Sequence, residues 1–132
     1  MIYNDKIMCK IIHKSVNIQH PDGMLISIDE KLAPIINFCW KLDINTRGCC
    51  EGKDISQINF YSPEDCKILL MYLDSKVDMF QLFNRVVNSW HCKFSPYLTQ
   101  NLWRGAPRKL DNITTLFFPQ NDIDMVNSII AV

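Results

Sequence analysis

One short segment of the chain concentrates side chains of the kind that bind small ligands. Residues 46–52 read TRGCCEG, which places a cation, a carboxylate, two thiols and two glycines within seven residues. Glycine lets a ligand approach backbone N–H groups, and the planar guanidinium of Arg47 offers a fork of donors to phosphate or carboxylate. We expect Arg47 to bind an anionic group and Glu51 to accept hydrogen bonds from a ribose or a base. In the alternative interpretation the two cysteines alternate into the core and both charged side chains are solvated.

A second segment combines an indole ring with several cations. Residues 103–109 read WRGAPRK and carry Trp103, Arg104, Arg108 and Lys109. Cations beside an aromatic ring are suited to surround a phosphate while the ring stacks on a base. We therefore predict that these four residues bind the same ligand as Arg47 and Glu51. The alternative is a solvated basic turn with Trp103 packed over the sheet edge.

The sequence gives little support for a metal centre or for catalysis. Adjacent cysteines such as Cys49 and Cys50 make a poor metal clamp, and neither a C-x-x-C nor an H-x-x-x-H pair accompanies them. His91 and Cys92 are neighbours in a predicted strand, so they face opposite sides and do not form a dyad with each other. We therefore expect no metal, no cofactor and no catalytic residue. A catalytic pair of His91 with Cys49 or Cys50 stays open, because such a dyad is recognised by its geometry, which sequence spacing does not supply.

The overall composition limits the classes of protein to consider. The chain has 132 residues, 48% hydrophobic and 21% charged, which is typical of one globular domain spanning residues 1–132. Fourteen basic and fourteen acidic side chains cancel, so the long-range positive field of an extended nucleic-acid binder is missing. No apolar run approaches the ~20 residues of a membrane span. With no export signal we expect a cytoplasmic protein whose six cysteines carry free thiols.

Hydrophobic periodicity and turn residues predict an alternation of strands and helices. Residues 20–23 (HPDG) form a strong turn signal, so the first two strands make a hairpin. Ser27 or Asp29 is the expected cap of the first helix, which holds Pro34 in its first turn, and Ser62 is the expected cap of the second. The predicted strands cover residues 7–18, 24–28, 55–61, 89–94 and 113–118, with helices through residue 42, from 63 to 73, from 77 to 87 and from 119 to 130, and a long loop at 96–107.

Two stretches of the chain resemble each other and define the predicted fold. INFYSPEDCKILLMYL (residues 58–73) and TLFFPQNDIDMVNSII (residues 115–130) both run strand, aromatic pair, proline-containing turn, acid and apolar helix. Together with the preceding strand of each, they predict an α+β fold: an antiparallel sheet built from two ββα-like units, with helices packed on one face. The two polar segments then close the two hairpins, and we expect them to converge at one end of the sheet.

The stretch helix–DINTRGCCEG–strand is similar to a known pattern. It resembles small uncharacterised proteins of bacteriophages and AT-rich Gram-positive bacteria that carry a helix, the motif G-[IY]-x-T-x-x-[SC]-C-x-G-H and a strand. The resemblance covers roughly residues 29–73. Asp43 stands at the first glycine of the motif and Lys53 at its histidine, so any role of that histidine does not transfer. The resemblance implies ancestry and a phage or bacterial source, and no activity.

These observations favour a non-enzymatic protein that binds a small phosphorylated ligand, such as a nucleotide. If the chain is phage-encoded, a fitting role is to sequester a host immune signalling nucleotide in the host cytoplasm, which evades host defence. One alternative is a protein–protein interaction or inhibitor module anchored by Trp103 and Arg104. The other is a nucleotide-processing enzyme. We further expect a homodimer, because an open antiparallel sheet edge is often covered by a second copy.

Overall fold

The computed structural model describes residues 13–99 and 109–131, which form two antiparallel sheets and a set of helices. Strands β1 and β2 form a separate hairpin, and the other four strands form the central sheet. The elements, in chain order, are β1 (Ser15–Gln19), β2 (Leu25–Asp29), α1 (Ala33–Lys41), β3 (Thr46–Cys50), β4 (Ile55–Phe60), α2 (Pro63–Asp74), α3 (Met79–Phe83), β5 (His91–Thr99), β6 (Lys109–Pro119), a 3-10 turn (Gln120–Asp122) and α4 (Ile123–Ile130).

The central sheet confirms the predicted pair of ββα units. Its strand order is β3-β4-β6-β5, so each hairpin contributes one outer and one inner strand, and the inner strands β4 and β6 pair with each other. Each inner strand then leads into a helix, α2 after β4 and α4 after β6. The internal similarity noted in the sequence therefore corresponds to a repeated strand–turn–helix structure.

The direction of the inner strands separates the two hairpin turns. β4 and β6 are antiparallel, with Ile55 opposite Pro119 and Phe60 opposite Thr114. Because each inner strand follows the turn of its own hairpin, the two turns lie at opposite ends of the sheet. The prediction that both polar segments close hairpins at one end of the sheet is therefore wrong for Glu51, because residues 46–50 form strand β3 instead of a turn. Arg47 lies towards the end at which β6 begins, whereas Glu51 follows β3 at the other end.

The β1–β2 hairpin forms around the predicted turn. Gly23 has φ +97°, its N–H donates to the carbonyl of His20, and the Asp22 carboxylate accepts from the N–H of Met24. Glycine adopts this φ without the steric cost that a Cβ brings. The first predicted strand is confirmed over Ser15–Gln19, and residues 7–12 lie outside the described part of the chain.

Helix α1 begins without the side-chain cap that we expected. Its N-cap is Leu32, which makes no capping hydrogen bond; Pro34 does lie in the first turn. Asp29 ends β2, and its carboxylate accepts instead from the N–H of Glu51. The predicted cap by Ser27 or Asp29 is wrong because the Asp29 side chain is engaged by a strand distant in sequence. By contrast, Ser62 caps α2 as predicted, accepting from the N–H of Asp65 at 3.2 Å.

The segment predicted as one helix from 77 to 87 contains only the five-residue helix α3. Asp78 caps its start by accepting from the N–H of Gln81, and the Asn84 side chain donates to the carbonyl of Phe80 at its end. The buried side chains are Met79 and Leu82, whereas Phe80 is exposed. Of the predicted apolar face, Val77 and Phe83 pack partly buried against the core, whereas Phe80 and Val87 are exposed. The prediction is wrong for these two because the helix ends at Phe83, with Asn84 as its C-cap.

The second hairpin is longer than predicted. β5 continues to Thr99 and β6 starts at Lys109, so the predicted loop at 96–107 begins later and the strand predicted at 113–118 starts earlier. Pro96 lies within β5, opposite Asn112. Proline is tolerated there because β5 is an outer strand of the sheet and one side of its backbone has no ladder to complete.

The hydrophobic core lies between the helices and one face of the central sheet. Cys49, Ile58, Leu116 and Cys92 form a row across that face from β3 to β5, and Cys66 of α2 contacts Cys92. Residues of α1, α2 and α4 belong to the same buried cluster. None of the helices in residues 13–99 and 109–131 has the length and apolar character needed to cross a membrane.

Candidate functional site

Arg47 lies against the ring of Tyr61 at one end of the central sheet. The register of β3 shifts between Thr46, opposite Phe60, and Gly48, opposite Asn59, so Arg47 occupies a bulge between the two pairs. Bulges redirect side chains and are common next to binding sites. The Arg47 guanidinium carbon is 5.7 Å from the centre of the Tyr61 ring, and Tyr61 is 43% exposed. A cation and an accessible aromatic ring therefore share one surface.

The connection from α1 to β3 links this pair to a surface cleft. The Trp40 indole N–H donates to the Thr46 hydroxyl at 2.8 Å, which anchors the start of β3, and the carbonyl of Asn45 accepts from the N–H of Tyr61. Asn45 also lines a cavity of about 180 Å³. A larger cleft of about 420 Å³ shares His20, Pro21 and Trp40 with it, and Lys41 and Asn37 add polar groups to its lining.

Glu51 occupies a different environment from Arg47. It is only 4% exposed, and both carboxylate oxygens have partners: Oε1 accepts from the N–H of Lys31 at 2.7 Å, and Oε2 is 3.3 Å from Nδ1 of His13. The Glu51 N–H in turn donates to Asp29. Glu51 therefore ties the end of β3 to the β1–β2 hairpin and the start of α1. Its predicted role as an acceptor for a ribose or a base stays a prediction.

The surroundings of Glu51 contain a polar group that the sequence did not indicate. One potential ligand atom from each of His13, Asp29 and Cys50 lies within 4.8 Å of the others. These residues come from the start of the described chain, the end of β2 and the end of β3, so no short motif marks them. The alternation of the strand LISID places Asp29 on the face of the exposed Leu25 and Ser27, so the sequence offered no signal of its burial.

The second predicted segment falls largely outside the described residues. Trp103, Arg104 and Arg108 are not described, and Lys109 is described only through its backbone, which starts β6 opposite Thr99. β6 extends five residues beyond the Phe60–Thr114 pair before it reaches Lys109, a distance of roughly 17 Å at the usual rise of a strand. Lys109 therefore lies towards the same end of the sheet as Arg47.

The histidine–cysteine pairing that the sequence left open does not form. Cys50 and His91 belong to one row across the sheet, but they lie on β3 and β5, with β4 and β6 between them. Three strand spacings correspond to about 14 Å, well beyond hydrogen-bond reach. Cys49 is buried on the core face, whereas His91 is exposed and stacks on Phe117 at 4.7 Å.

The cysteines differ in oxidation state and in the pKa of their thiols. Cys50 is disulfide-bonded, so the expectation of six free thiols is wrong, whereas Cys39, Cys66 and Cys92 are free. The Cys66 and Cys92 sulfurs are 3.9 Å apart. Their hydrogen bond, together with burial, raises the pKa of Cys66, and the same hydrogen bond lowers the pKa of Cys92 against the opposing effect of burial. Burial raises the pKa of Cys39 to about 12. Within the free pair, Cys92 is therefore the more reactive nucleophile.

Comparison of the chain with protein-family models, with curated proteins and with solved structures returns no match.

Proposed function

We propose that this protein is a non-enzymatic binder of a small phosphorylated ligand of the nucleotide class, held at the Arg47–Tyr61 end of the central sheet. The observation that carries the proposal is the guanidinium of Arg47 at 5.7 Å from the centre of an accessible tyrosine ring. An arginine fork matches the geometry of a phosphate, and an aromatic ring stacks on any base. One surface therefore provides both halves of nucleotide recognition.

Two further features support a compact ligand. The neighbouring cleft of about 420 Å³ falls within the usual size range of small-molecule sites. The net charge of zero removes the field that draws in a polymer of phosphates. β5 ends and β6 begins at the same end of the sheet as Arg47. Arg104 and Arg108 fall between these strands in the sequence, and we propose that they complete the phosphate site.

The source and setting of the protein belong to the same proposal. The likeness of residues 29–73 to phage-borne proteins favours a host signalling nucleotide as the ligand and sequestration in the host cytoplasm as the role. Sequestration requires that the nucleotide is held and not consumed. Recovery of intact nucleotide after denaturation of the complex is the expected result, and a converted product would favour the nucleotide-processing alternative.

The test is binding of mono-, di- and cyclic nucleotides and of adenine dinucleotides, measured by thermal shift and then by calorimetry. Ligand at ~100 times its dissociation constant stabilises the folded protein by about 2.7 kcal/mol. We expect Arg47→Ala to weaken binding roughly 10- to 150-fold, since hydrogen bonds to charged groups contribute about 1.5–3 kcal/mol. Arg47→Lys keeps the charge but loses the fork, and it should restore only part of the affinity.

The matched control is Lys53→Ala, which removes an exposed cation from the β3–β4 turn at the opposite end of the sheet. It should leave the affinity unchanged. The proposed site is contradicted if the wild-type protein, Arg47→Ala and Tyr61→Ala bind the same nucleotide with equal affinity. The nucleotide would then bind at another surface.

A second candidate function, a protein interaction module, is favoured by three exposed apolar side chains that lie close together in the chain, Phe80, Val86 and Val87. Phe80 is 74% exposed, and both valines are more than two-thirds exposed. Grouped apolar side chains at a protein surface mark interaction sites. The simplest partner is a second copy of the chain, in line with the homodimer expected from the open sheet edge.

Light scattering over a range of concentrations tests this candidate. The wild-type protein should form a dimer, and the double variant Phe80→Glu/Val86→Glu should be monomeric, because two carboxylates in an apolar interface are costly to desolvate. Met71→Glu, which changes an exposed apolar side chain of α2, serves as the control and should remain dimeric. A monomeric wild-type protein, or a dimer unaffected by the double variant, argues against this surface as the dimer interface.

A further inference from the structure

The end of β3 opposite Arg47 brings together three side chains of metal-binding type. His13 precedes β1, Asp29 ends β2 and Cys50 ends β3, and their potential ligand atoms lie within 4.8 Å of one another. Asp29 is 7% exposed and the His13 side chain 15%. One nitrogen, one carboxylate and one sulfur donor therefore surround a common point largely shielded from water.

The two ring nitrogens of His13 have different surroundings. Nδ1 lies 3.3 Å from the Oε2 atom of Glu51, whereas Nε2 is buried and has no hydrogen-bond partner among residues 13–99 and 109–131. A carboxylate beside one nitrogen holds the proton there and leaves a lone pair on the other, which is the arrangement around metal-ligating histidines. The buried Nε2, which lacks a partner in the described part of the chain, is suited to bind a cation.

The charge balance of the cluster also favours a cation. Asp29 and Glu51 are both buried carboxylates. Asp29 accepts from the N–H of Glu51, and Glu51 accepts from the N–H of Lys31 and also faces the ring of His13. Within residues 13–99 and 109–131, no lysine or arginine forms an ion pair with either carboxylate. Buried carboxylates are costly unless they are paired or coordinate a metal, and a divalent ion offsets the negative charge.

The oxidation state of Cys50 controls the third donor. Its sulfur is disulfide-bonded, and it accepts from the N–H of Gly52 at 3.3 Å. A metal binds the thiolate and not the disulfide sulfur. Reduction by two equivalents of a cellular monothiol converts the disulfide into two thiols, and the two monothiols leave joined as one oxidised disulfide. The Cys50 thiol then transfers its proton to solvent as the metal binds.

We propose that reduction of the Cys50 disulfide creates a zinc site in which His13, Asp29 and Cys50 are ligands and Glu51 positions the His13 ring. The mixed nitrogen, oxygen and sulfur set suits Zn²⁺ better than Mg²⁺ or Ca²⁺, which take oxygen ligands. A reducing environment thus loads the metal and an oxidising one releases it. The site is independent of nucleotide binding, since it lies at the other end of β3.

The proposal is tested by titrating the full chain with Co²⁺ and Zn²⁺. The titrations are done under nitrogen, in the presence of a phosphine reductant for the reduced protein. The reduced protein should bind one Co²⁺ with a thiolate-to-cobalt absorption band, and Zn²⁺ should displace the cobalt. The oxidised protein should bind at least roughly 100-fold more weakly. His13→Ala, Asp29→Asn and Cys50→Ser should each weaken Zn²⁺ binding, and Cys50→Ser should abolish the thiolate band. Glu51→Gln should keep the band but weaken binding roughly 10- to 100-fold, as expected of a positioning residue.

The controls are His91→Ala and Cys92→Ser, which remove an imidazole and a thiol outside the cluster and should leave the cobalt spectrum unchanged. If Cys50→Ser does not fold, alkylation of the reduced wild-type protein gives the same answer: Zn²⁺ should slow the modification of Cys50 at least tenfold and leave that of Cys92 unaffected. Any of three results would overturn the proposal. The reduced protein shows no thiolate-to-cobalt band, the band persists in Cys50→Ser, or Zn²⁺ does not change the rate at which Cys50 is alkylated.

Discussion

Replacement of Trp90 by alanine is expected to lower the free energy of unfolding by about 3–5 kcal/mol, the usual cost of truncating a fully buried large aromatic side chain. Trp90 stacks on Phe118 with ring centres 4.8 Å apart, and its indole N–H donates to Asp122 at 2.8 Å. Its backbone N–H also bonds to the carbonyl of Leu82. One side chain therefore joins β6, the 3-10 turn before α4 and the region of α3. Urea unfolding monitored by circular dichroism measures the loss.

Trp90→Phe separates packing from hydrogen bonding at this position. It keeps a ring against Phe118 but leaves the Asp122 carboxylate with Arg85 as its side-chain donor, at 2.7 Å. We expect a cost of about 1–3 kcal/mol, clearly below that of Trp90→Ala. Equal and small losses in both variants would mean that Trp90 is not a central contact of this fold.

Gly52→Ala is expected to cost nearly as much, because two independent penalties add. Gly52 has φ +65°, a left-handed conformation that costs a residue with a Cβ about 1–3 kcal/mol. An added Cβ would also lie 1.9 Å from the carbonyl oxygen of Ile55, so the backbone of the β3–β4 turn must move. Such overpacking adds about 1–3 kcal/mol. Because Gly52 follows Glu51, the movement should also disturb the contacts of that carboxylate.

Gly23→Ala is the matched control for this prediction. Gly23 also has a positive φ, +97°, but an added Cβ would meet no atom within 4 Å. It should therefore show the conformational cost alone, about 1–3 kcal/mol, with no steric cost. The difference between the two variants, measured in the same urea experiment, isolates the overlap with Ile55. Identical losses would contradict the described turn.

Local signals in the sequence predicted a large part of the fold. Ser62 and Pro63 marked the start of α2, the HPDG turn marked the first hairpin, and the similarity of residues 58–73 and 115–130 predicted the two ββα units. Each of these features depends on residues close in the chain. The prediction for α3 was too long because the apolar spacing extends to residue 87, whereas Asp78 caps the start of the helix and Asn84 caps its end through their own side chains.

The arrangement of the polar residues required tertiary information. Whether the two hairpin turns lie at the same end of the sheet depends on whether β4 and β6 pair parallel or antiparallel. The sequence of either hairpin does not predict this direction. The burial of Glu51 likewise depends on His13 and Lys31, which are distant in the chain. Sequence reasoning therefore found Arg47 as a ligand-binding candidate but grouped it with Glu51, from which the length of β3 separates it.

Strand β3 thus carries two distinct chemical environments at its ends. Arg47, near its start, offers a cation beside an exposed ring, and Cys50, at its end, meets a histidine and two buried carboxylates. The first is accessible and suited to a ligand that exchanges with solvent. The second is enclosed and suited to a tightly held ion. Variants at one end should leave binding at the other end unchanged, which allows the two proposals to be tested separately.

The most direct test of the central claim is a nucleotide titration followed by nuclear magnetic resonance of the labelled full chain. A binding nucleotide should shift the Arg47 side-chain N–H and the Tyr61 ring signals most strongly, while the Gly52 amide in the opposite turn stays in place. If no nucleotide class shifts Arg47 or Tyr61 at millimolar concentration, or if the largest shifts lie around Gly52, the proposed ligand site at this end of the sheet is contradicted.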